Sequence, residues 1–359
     1  MPTSDFLFAL CQRGAERALK REVSVTRPSL RPAYQRPGVV TFRSDAPVTE
    51  DDRIDAVLAR VSGLSLGTER DLEVACARIA ALEPPLRLHV IERDLFRADE
   101  APPSHPEGEL ASATEDALRR ALPGVFHEGA VAQPGDLVLD VIVAPGDPIL
   151  LGLHRHTKDL SPHPGGRYVY EVPADAPSRA FRKTEEALAA FDLPVRAGDV
   201  ALELGAAPGG GAYALARRGV TVLAVDPADM DSHVLAFEGP GGARVTHLRM
   251  TMDAVERRML PERVGWVLMD VNLAPQVALH AVARITALCR ASLLGAIFTL
   301  KLNDWSFLDR VGDFVAAART MGIVDPKVRQ LPAHRQEIVL VGLTARGQQR
   351  SESERRRTE

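Results

Sequence analysis

The chain has 359 residues, 45% of them hydrophobic and 26% charged, enough to bury substantial cores and to form two domains or more. Its net charge of −4 and pI near 6.2 exclude general attraction to polyanions, so any nucleic-acid contact must come from a local basic surface. Cys11, Cys76 and Cys289 lie without CxxC spacing, which argues against a disulfide framework or a zinc site. The apolar run 293–300 is too short to span a bilayer, and the N-terminus lacks a basic region before its apolar residues. A soluble cytoplasmic protein is expected.

In chain order, 5–11 is a short apolar run, and 14–23 (GAERALKREV) has helical spacing. A Pro- and Arg-rich stretch to residue 37 precedes a strand at 38–43, and 51–61 reads as a helix. Residues 86–92 alternate like a strand, and 112–122 is a helix with a Ser/Thr start. An apolar strand at 137–143 leads across a PGDP turn into 149–154. These are small mixed α+β units. Two Pro- and Gly-rich segments, 102–109 and 161–167, read as loops, the second being the better domain boundary.

Longer alternation follows, as in a doubly wound α/β domain. Helices are expected at 178–191, 277–294 and 305–321, and strands at 200–205, 221–226, 244–249, 264–270, 296–301 and 337–343. The charged segment from Arg346 (RGQQRSESERRRTE) reads as disordered.

The stretch 200–226, VALELGAAPGGGAYALARRGVTVLAVD, is a strand, a glycine-rich turn, a helix and a second strand ending on Asp226. A glycine turn can be a simple tight connection, but an acid about 20 residues on is placed to accept ribose hydroxyls. The turn is neither GxGxxG nor a P-loop, which disfavours dinucleotides and nucleoside triphosphates. A nucleoside without pyrophosphate fits better, with S-adenosylmethionine (SAM) leading.

Lysine is scarce: it occurs only at 20, 158, 183, 301 and 327, against 39 arginines. Each lysine is therefore informative, because an ammonium can lose its proton in a suitable pocket and a guanidinium cannot. Lys183 lies on a helix, Asp270 and Lys301 end strands, and Glu337 begins one. Residues at strand ends converge on one rim of an open α/β sheet. Each could instead be a solvated terminus or surface ion pair. Together they suggest a lysine whose proton affinity is lowered by a second ammonium and whose orientation is held by carboxylates.

SRAFRKTEEA, LGAAPGGGAYAL with its following AVD, the LMD and FTLKL strands and the late RQE resemble the FtsJ-like ribose 2′-O-methyltransferases. The resemblance is greatest to their large-subunit ribosomal RNA methyltransferase M group, which PADAPSRA and LGLHRH also resemble. It implies a Rossmann-like SAM-dependent methyltransferase domain at 166–345, preceded by a ferredoxin-like module at 1–65 and a THUMP-like RNA-binding module at 66–165, with a disordered tail at 346–359.

The resemblance further implies a ribose 2′-hydroxyl of RNA as acceptor, specifically a cytidine of 23S ribosomal RNA in the peptidyl-transferase region. Lys301 would be the base, Asp270 and Lys183 would adjust its charge, and Glu337 would orient the lysine or the nucleotide. Gly205, Ala206, Pro208, Gly209 and Gly210 would shape the methionine pocket, and Asp226 would hold the ribose. For the adenine amino group the sequence offers Asp253 or Thr251. Gly211 departs from the family, where an aromatic residue occupies the turn. No metal is expected, since the sulfonium already carries an activated methyl. His154 and His156 alternate but lack a partner at metal spacing. Arg179 and Arg182 could meet phosphates or form a solvated helix face. Alternative readings are a 2′-O-methyltransferase for another RNA or a small molecule, and a non-catalytic RNA-binding or assembly protein on the same fold.

Overall fold

The computed structural model of the chain describes residues 2–93 and 108–358. The expected loop at 102–109 thus lies, but for its last two residues, outside the described residues. The chain divides into two compact units, Met1–Val169 and Tyr170–Glu359.

The first unit runs β1 (Ser4–Leu10), α1 (Glu16–Thr26), β2 (Leu30–Arg36), β3 (Val39–Val48), β4 (Val61–Glu69), α2 (Leu72–Ala80), β5 (Arg87–Glu92), α3 (Glu109–Ala121), β6 (Leu137–Val143) and β7 (Ile149–Arg155). Its strands form one sheet in the order β2-β3-β1-β4-β7-β6-β5. Every pairing is antiparallel except β5 with β6. The first four strands have the split βαβ order of a ferredoxin-like layout. β4 straddles the boundary expected at residues 65/66. It pairs with β1 on one side and β7 on the other, so one continuous sheet serves both expected modules.

The helix expected at 51–61 is absent: only turns and irregular backbone precede β4. Its helical signature came from Ile54 and Leu58, four apart and both buried. The half-buried carboxylate of Glu22 on α1 takes two of this segment's amides instead, accepting from Val57 N at 2.5 Å and Leu58 N at 3.3 Å. Backbone groups paired from outside need no helix. β2, β4 and α2 are elements the sequence reading omitted. α2 is capped by Asp71, which accepts from Val74 N at 2.9 Å.

The second unit contains α4 (Ala180–Ala190), β8 (Val200–Leu204), α5 (Gly210–Arg217), β9 (Thr221–Val225), α6 (Ser232–Ala236), β10 (Val245–Leu248), β11 (Trp266–Asp270), α7 (Pro275–Cys289), β12 (Gly295–Lys301), α8 (Val311–Thr320), β13 (Lys327–Arg329), β14 (Glu337–Leu343) and α9 (Ala345–Thr358). The sheet order is β10-β9-β8-β11-β12-β14-β13. It is parallel from β10 to β12, while β14 runs antiparallel to both its neighbours. The strand order reverses at β8, a doubly wound arrangement in which ligands bind at the carboxyl ends of the strands. Because β14 is antiparallel, its first residue lies at the rim where the parallel strands end. The expected helix 305–321 divides into a 3-10 segment, Trp305–Arg310, and α8.

The segment from Arg346 is a helix, contrary to the disorder expected from its composition. Arg350 explains the difference. It bonds Asp199 at 2.8 Å and pairs with Glu354 one turn on, while Asp199 also accepts the indole N–H of the buried Trp266 at 3.0 Å. Gly347 packs so closely on Leu294 O that a Cβ there would lie 2.0 Å from it. Tertiary contacts thus hold a helix that propensity alone would not. Among the described residues, no helix is long and apolar enough to cross a membrane.

Candidate active site

The four singled-out charged residues meet at the rim of the second sheet. Lys301 ends β12 directly opposite Glu337, which begins β14; Asp270 ends β11 opposite Thr299, two residues before Lys301. Side chains two apart on a strand share a face, so Asp270, Lys301 and Glu337 point the same way. α4 adds Lys183, which is buried.

The result is a closed ring of alternating charge. Lys301 Nζ lies 2.7 Å from Asp270 Oδ1 and 2.5 Å from Glu337 Oε1. Lys183 Nζ lies 2.9 Å from Asp270 Oδ2 and 2.6 Å from Glu337 Oε2. Each ammonium bridges both carboxylates. Burial works to raise the Asp270 and Glu337 carboxyls, but Lys183 and Lys301 outweigh it and hold both below their ordinary values. For Lys301, burial works to lower the ammonium, yet Asp270 and Glu337 together hold it above its ordinary value. This corrects the expectation that the second lysine would lower it: two carboxylates in contact outweigh one like charge beyond them.

The glycine turn abuts this ring. Gly205 has φ +75°, and a Cβ on it would lie 2.4 Å from the carbonyl oxygen of Asp270, so only glycine lets the turn rest on β11. Gly209 (φ +117°) precedes α5 and supplies no side-chain cap; the buried Glu203 carboxyl takes the Ala212 amide of the first turn, leaving those of Gly210 and Gly211 before it. Gly210 packs against Ser178 and Phe181 at the start of α4. Ala206 is buried between Gly205 and Ala207, and Pro208 accepts a backbone bond from Asp231. Asp226 accepts from Ala207 N at 3.1 Å and Ala228 N at 2.8 Å, tying the turn to the end of β9. Each of its oxygens keeps further acceptor capacity.

Asp253 sits on an exposed one-turn 3-10 helix, Met252–Ala254. Thr251 bonds its carboxyl and lowers its pKa, and Arg284 holds its carbonyl at 3.0 Å. Arg179, the residue preceding α4, is exposed, and Arg182 on α4 beside Lys183 is half-buried.

Three buried groups near the ring escaped the sequence reading. A Cβ at Gly211 would lie 2.2 Å from Glu203 Oε1 and 3.0 Å from Thr184 Oγ1, so this glycine makes room for a buried carboxyl beneath the turn. Burial first, then the negative Asp270 and Asp226, push Glu203 up to about 8. His334 is fully buried, and burial holds its imidazole down to about 4, hence neutral. Glu186 lies one turn beyond Lys183. A signal existed for Glu203, an acid immediately before the LG of the turn. Nothing local marks the other two.

Residues 176–331 match the model of the FtsJ-like methyltransferase family. This stretch is similar to FtsJ-like methyltransferase domains. The chain is similar to proteins named ribosomal RNA large subunit methyltransferase M. It is 30% identical over 243 residues to that of Chromohalobacter salexigens (64% of each chain). Identity is 33% over 191 residues for Azoarcus sp. (50% of this chain, 49% of the relative) and 37% over 149 residues for Methylococcus capsulatus (40% and 39%). The chain spans about half the length of the curated relatives it matches.

The glycine turn and Asp226 form a pocket that suits SAM. The Gly210 and Gly211 amides at the start of α5 can receive a carboxylate, and Asp226 can accept ribose hydroxyls. Among the described residues, no group of three His, Cys, Asp or Glu side chains is arranged to hold a metal ion.

Proposed function

We propose that the chain methylates a ribose 2′-hydroxyl of RNA, with Lys301 as proton acceptor. The observation that carries this is the ring of two ammoniums and two carboxylates beside the glycine turn. A hydroxyl is a poor nucleophile until its proton is drawn off as the new bond forms, and a lysine at the rim can take it. When bound, SAM supplies an electrophilic methyl whose departure leaves the bonding pair on sulfur. The hydroxyl oxygen supplies the pair of the new O–CH3 bond, and its proton passes to Lys301 Nζ.

The raised proton affinity of Lys301 sets a condition on this step. The amine must be neutral to accept, so one of its two carboxylate contacts must first weaken. A ribose hydroxyl donating to Asp270 or Glu337 competes for that oxygen and loosens the ammonium, whose proton passes to solvent and leaves a neutral amine to take the hydroxyl proton. Lys183 keeps Asp270 and Glu337 ionised meanwhile. Gly205, Ala206, Pro208, Gly209 and Gly210 would line the methionine end and Asp226 would hold the ribose, with Asp253 or Thr251 beside the adenine.

The named relatives favour ribosomal RNA of the large subunit as substrate, and the family resemblance narrows this to a cytidine of the peptidyl-transferase region. The first unit would then read RNA shape and phosphates outside the chemistry. Incubating the chain with labelled SAM and 23S RNA, then mapping the label, tests the reading. Label on a ribose 2′-oxygen is expected; label on a base or on protein overturns it.

A further inference from the structure

Glu186 lies three residues after Lys183 on α4, on the same face, and is 4% exposed. Its Oε2 accepts the backbone N–H of Ala333 at 2.7 Å, and its Oε1 accepts the Tyr170 hydroxyl at 3.0 Å. Ala333 belongs to the segment 330–336 that leads directly into Glu337. That segment is stitched internally, His334 N to Leu331 O at 2.9 Å and Gln330 Nε2 to Arg335 O at 2.6 Å. Its last residue accepts from Leu302 N at 2.9 Å, the position after Lys301. The segment before Glu337 is therefore fastened at its end to β12 and in its middle to α4. A buried carboxylate spent on a loop amide is costly to desolvate, so its retention here calls for a reason beyond filling space.

We infer that Glu186 is a positioning residue: by holding Ala333 to the helix that carries Lys183, it fixes where Glu337 stands between Lys183 and Lys301. This rests on the reading of Lys301 as proton acceptor. The Lys301 ammonium is faced by Asp270 from β11 and Glu337 from β14, with Lys183 from α4 and the neutral imidazole of His334 beside the same carboxylates. If the Ala333 tether is cut, Glu337 is freed to withdraw. Lys301 then keeps one firm carboxylate contact instead of two, and its hold on the proton weakens.

The test compares Glu186→Ala with Glu186→Gln in the full chain. Glutamine can accept from Ala333 through its carbonyl and donate to the Tyr170 oxygen through its amide, so it preserves both links. Because the chain has only five lysines, their ammonium signals can be followed individually by NMR through a pH titration. With Glu186→Ala, Lys301 should titrate at lower pH than in the native chain. Although the proton is then released more readily, Lys301 Nζ is no longer held in line by Glu337, so kcat for methyl transfer should fall on the order of ten- to a hundredfold, as for a misplaced catalytic group, with the dissociation constant for SAM within about twofold of native. Glu186→Gln should restore both readouts. An unchanged Lys301 titration in Glu186→Ala, or a Glu186→Gln variant as impaired as alanine, overturns the inference. Should Glu186→Ala fail to fold, Glu186→Leu fills the volume without an acceptor and takes its place. Should the native chain methylate no RNA, the proposed function fails, while the NMR comparison still decides whether Glu186 places Glu337.

Discussion

Each unit of the chain buries a cluster of ionisable side chains, and the two clusters handle charge in opposite ways. In the second unit, Lys183, Asp270, Lys301 and Glu337 close a ring in which every charge meets two of opposite sign. In the first, fully buried Asp140 on β6 meets His154 Nδ1 at 2.6 Å and His89 Nδ1 at 3.9 Å, with His156 beyond. Among the described residues, Asp140 Oδ1 and His156 Nδ1 have no hydrogen-bond partner. Burial pushes His89 down to about 4 and lowers His156 as well. Mutual compensation keeps the ring ionised at a partly exposed sheet rim. Desolvation instead keeps neutral the imidazoles of His89, on β5, and of His156, just after β7. The ring is suited to proton transfer, and the histidine cluster to packing.

The largest effect expected from this contrast is at the ring. Lys301→Ala should reduce methyl transfer by about a thousandfold or more, in the upper range for loss of a proton-transfer group, while SAM still binds by calorimetry. Retained activity would remove Lys301 from the chemistry. Next, Asp270→Asn leaves two ammoniums facing one carboxylate and should destabilise the second unit by about 2 kcal/mol in denaturant titrations. That is less than for a fully buried pair, because the rim is partly open. Asp140→Asn should cost about 1 to 2 kcal/mol through its charged bond to His154, and should leave the dissociation constant for SAM unaltered.

In the pH dependence, two buried groups should show slopes of opposite sign. His89 binds its proton less readily folded than unfolded, so its contribution weakens as pH falls from 6.5 to about 4. His89→Gln should therefore gain thermal stability relative to the native chain over that fall. Glu203 is the reverse case. Its folded pKa of about 8 lies above the ordinary 4.5, so the native chain loses stability as pH rises between those values. Glu203→Gln should gain relative stability over that rise. Parallel melting curves across pH 4 to 9 for both variants would contradict these assignments.

Much of the second unit was legible because its signals are local. Alternating buried runs and helices gave β8, β9, β11, β12 and β14 nearly to the residue. Scarce lysine made Lys183 and Lys301 conspicuous, and an acid or a lysine at a strand end has a fixed rim to point to. In the first unit, Ile54 and Leu58 imitated a helix because apolar spacing does not record that Glu22 would take the segment's amides. The tail from Arg346 failed for the converse reason: composition predicts solvation, but Asp199 and Leu294 lie far away in sequence.

By itself, the sequence determined most elements of the second unit, a glycine turn followed by an acid at the end of β9, and which four charged residues share a rim. These follow from periodicity and from where residues fall on strands, properties that survive without knowing any distance. Only the tertiary structure decided the charge state of the ring, because proton affinity depends on burial and on separations of a few ångströms. Two carboxylates within 2.7 Å of Lys301 raise what the neighbouring lysine was expected to lower. It alone also decided that Gly211 makes room for Glu203 and that Glu186 reaches Ala333. Those contacts join residues 8 and 147 apart in the chain, and no local pattern encodes a meeting that packing arranges.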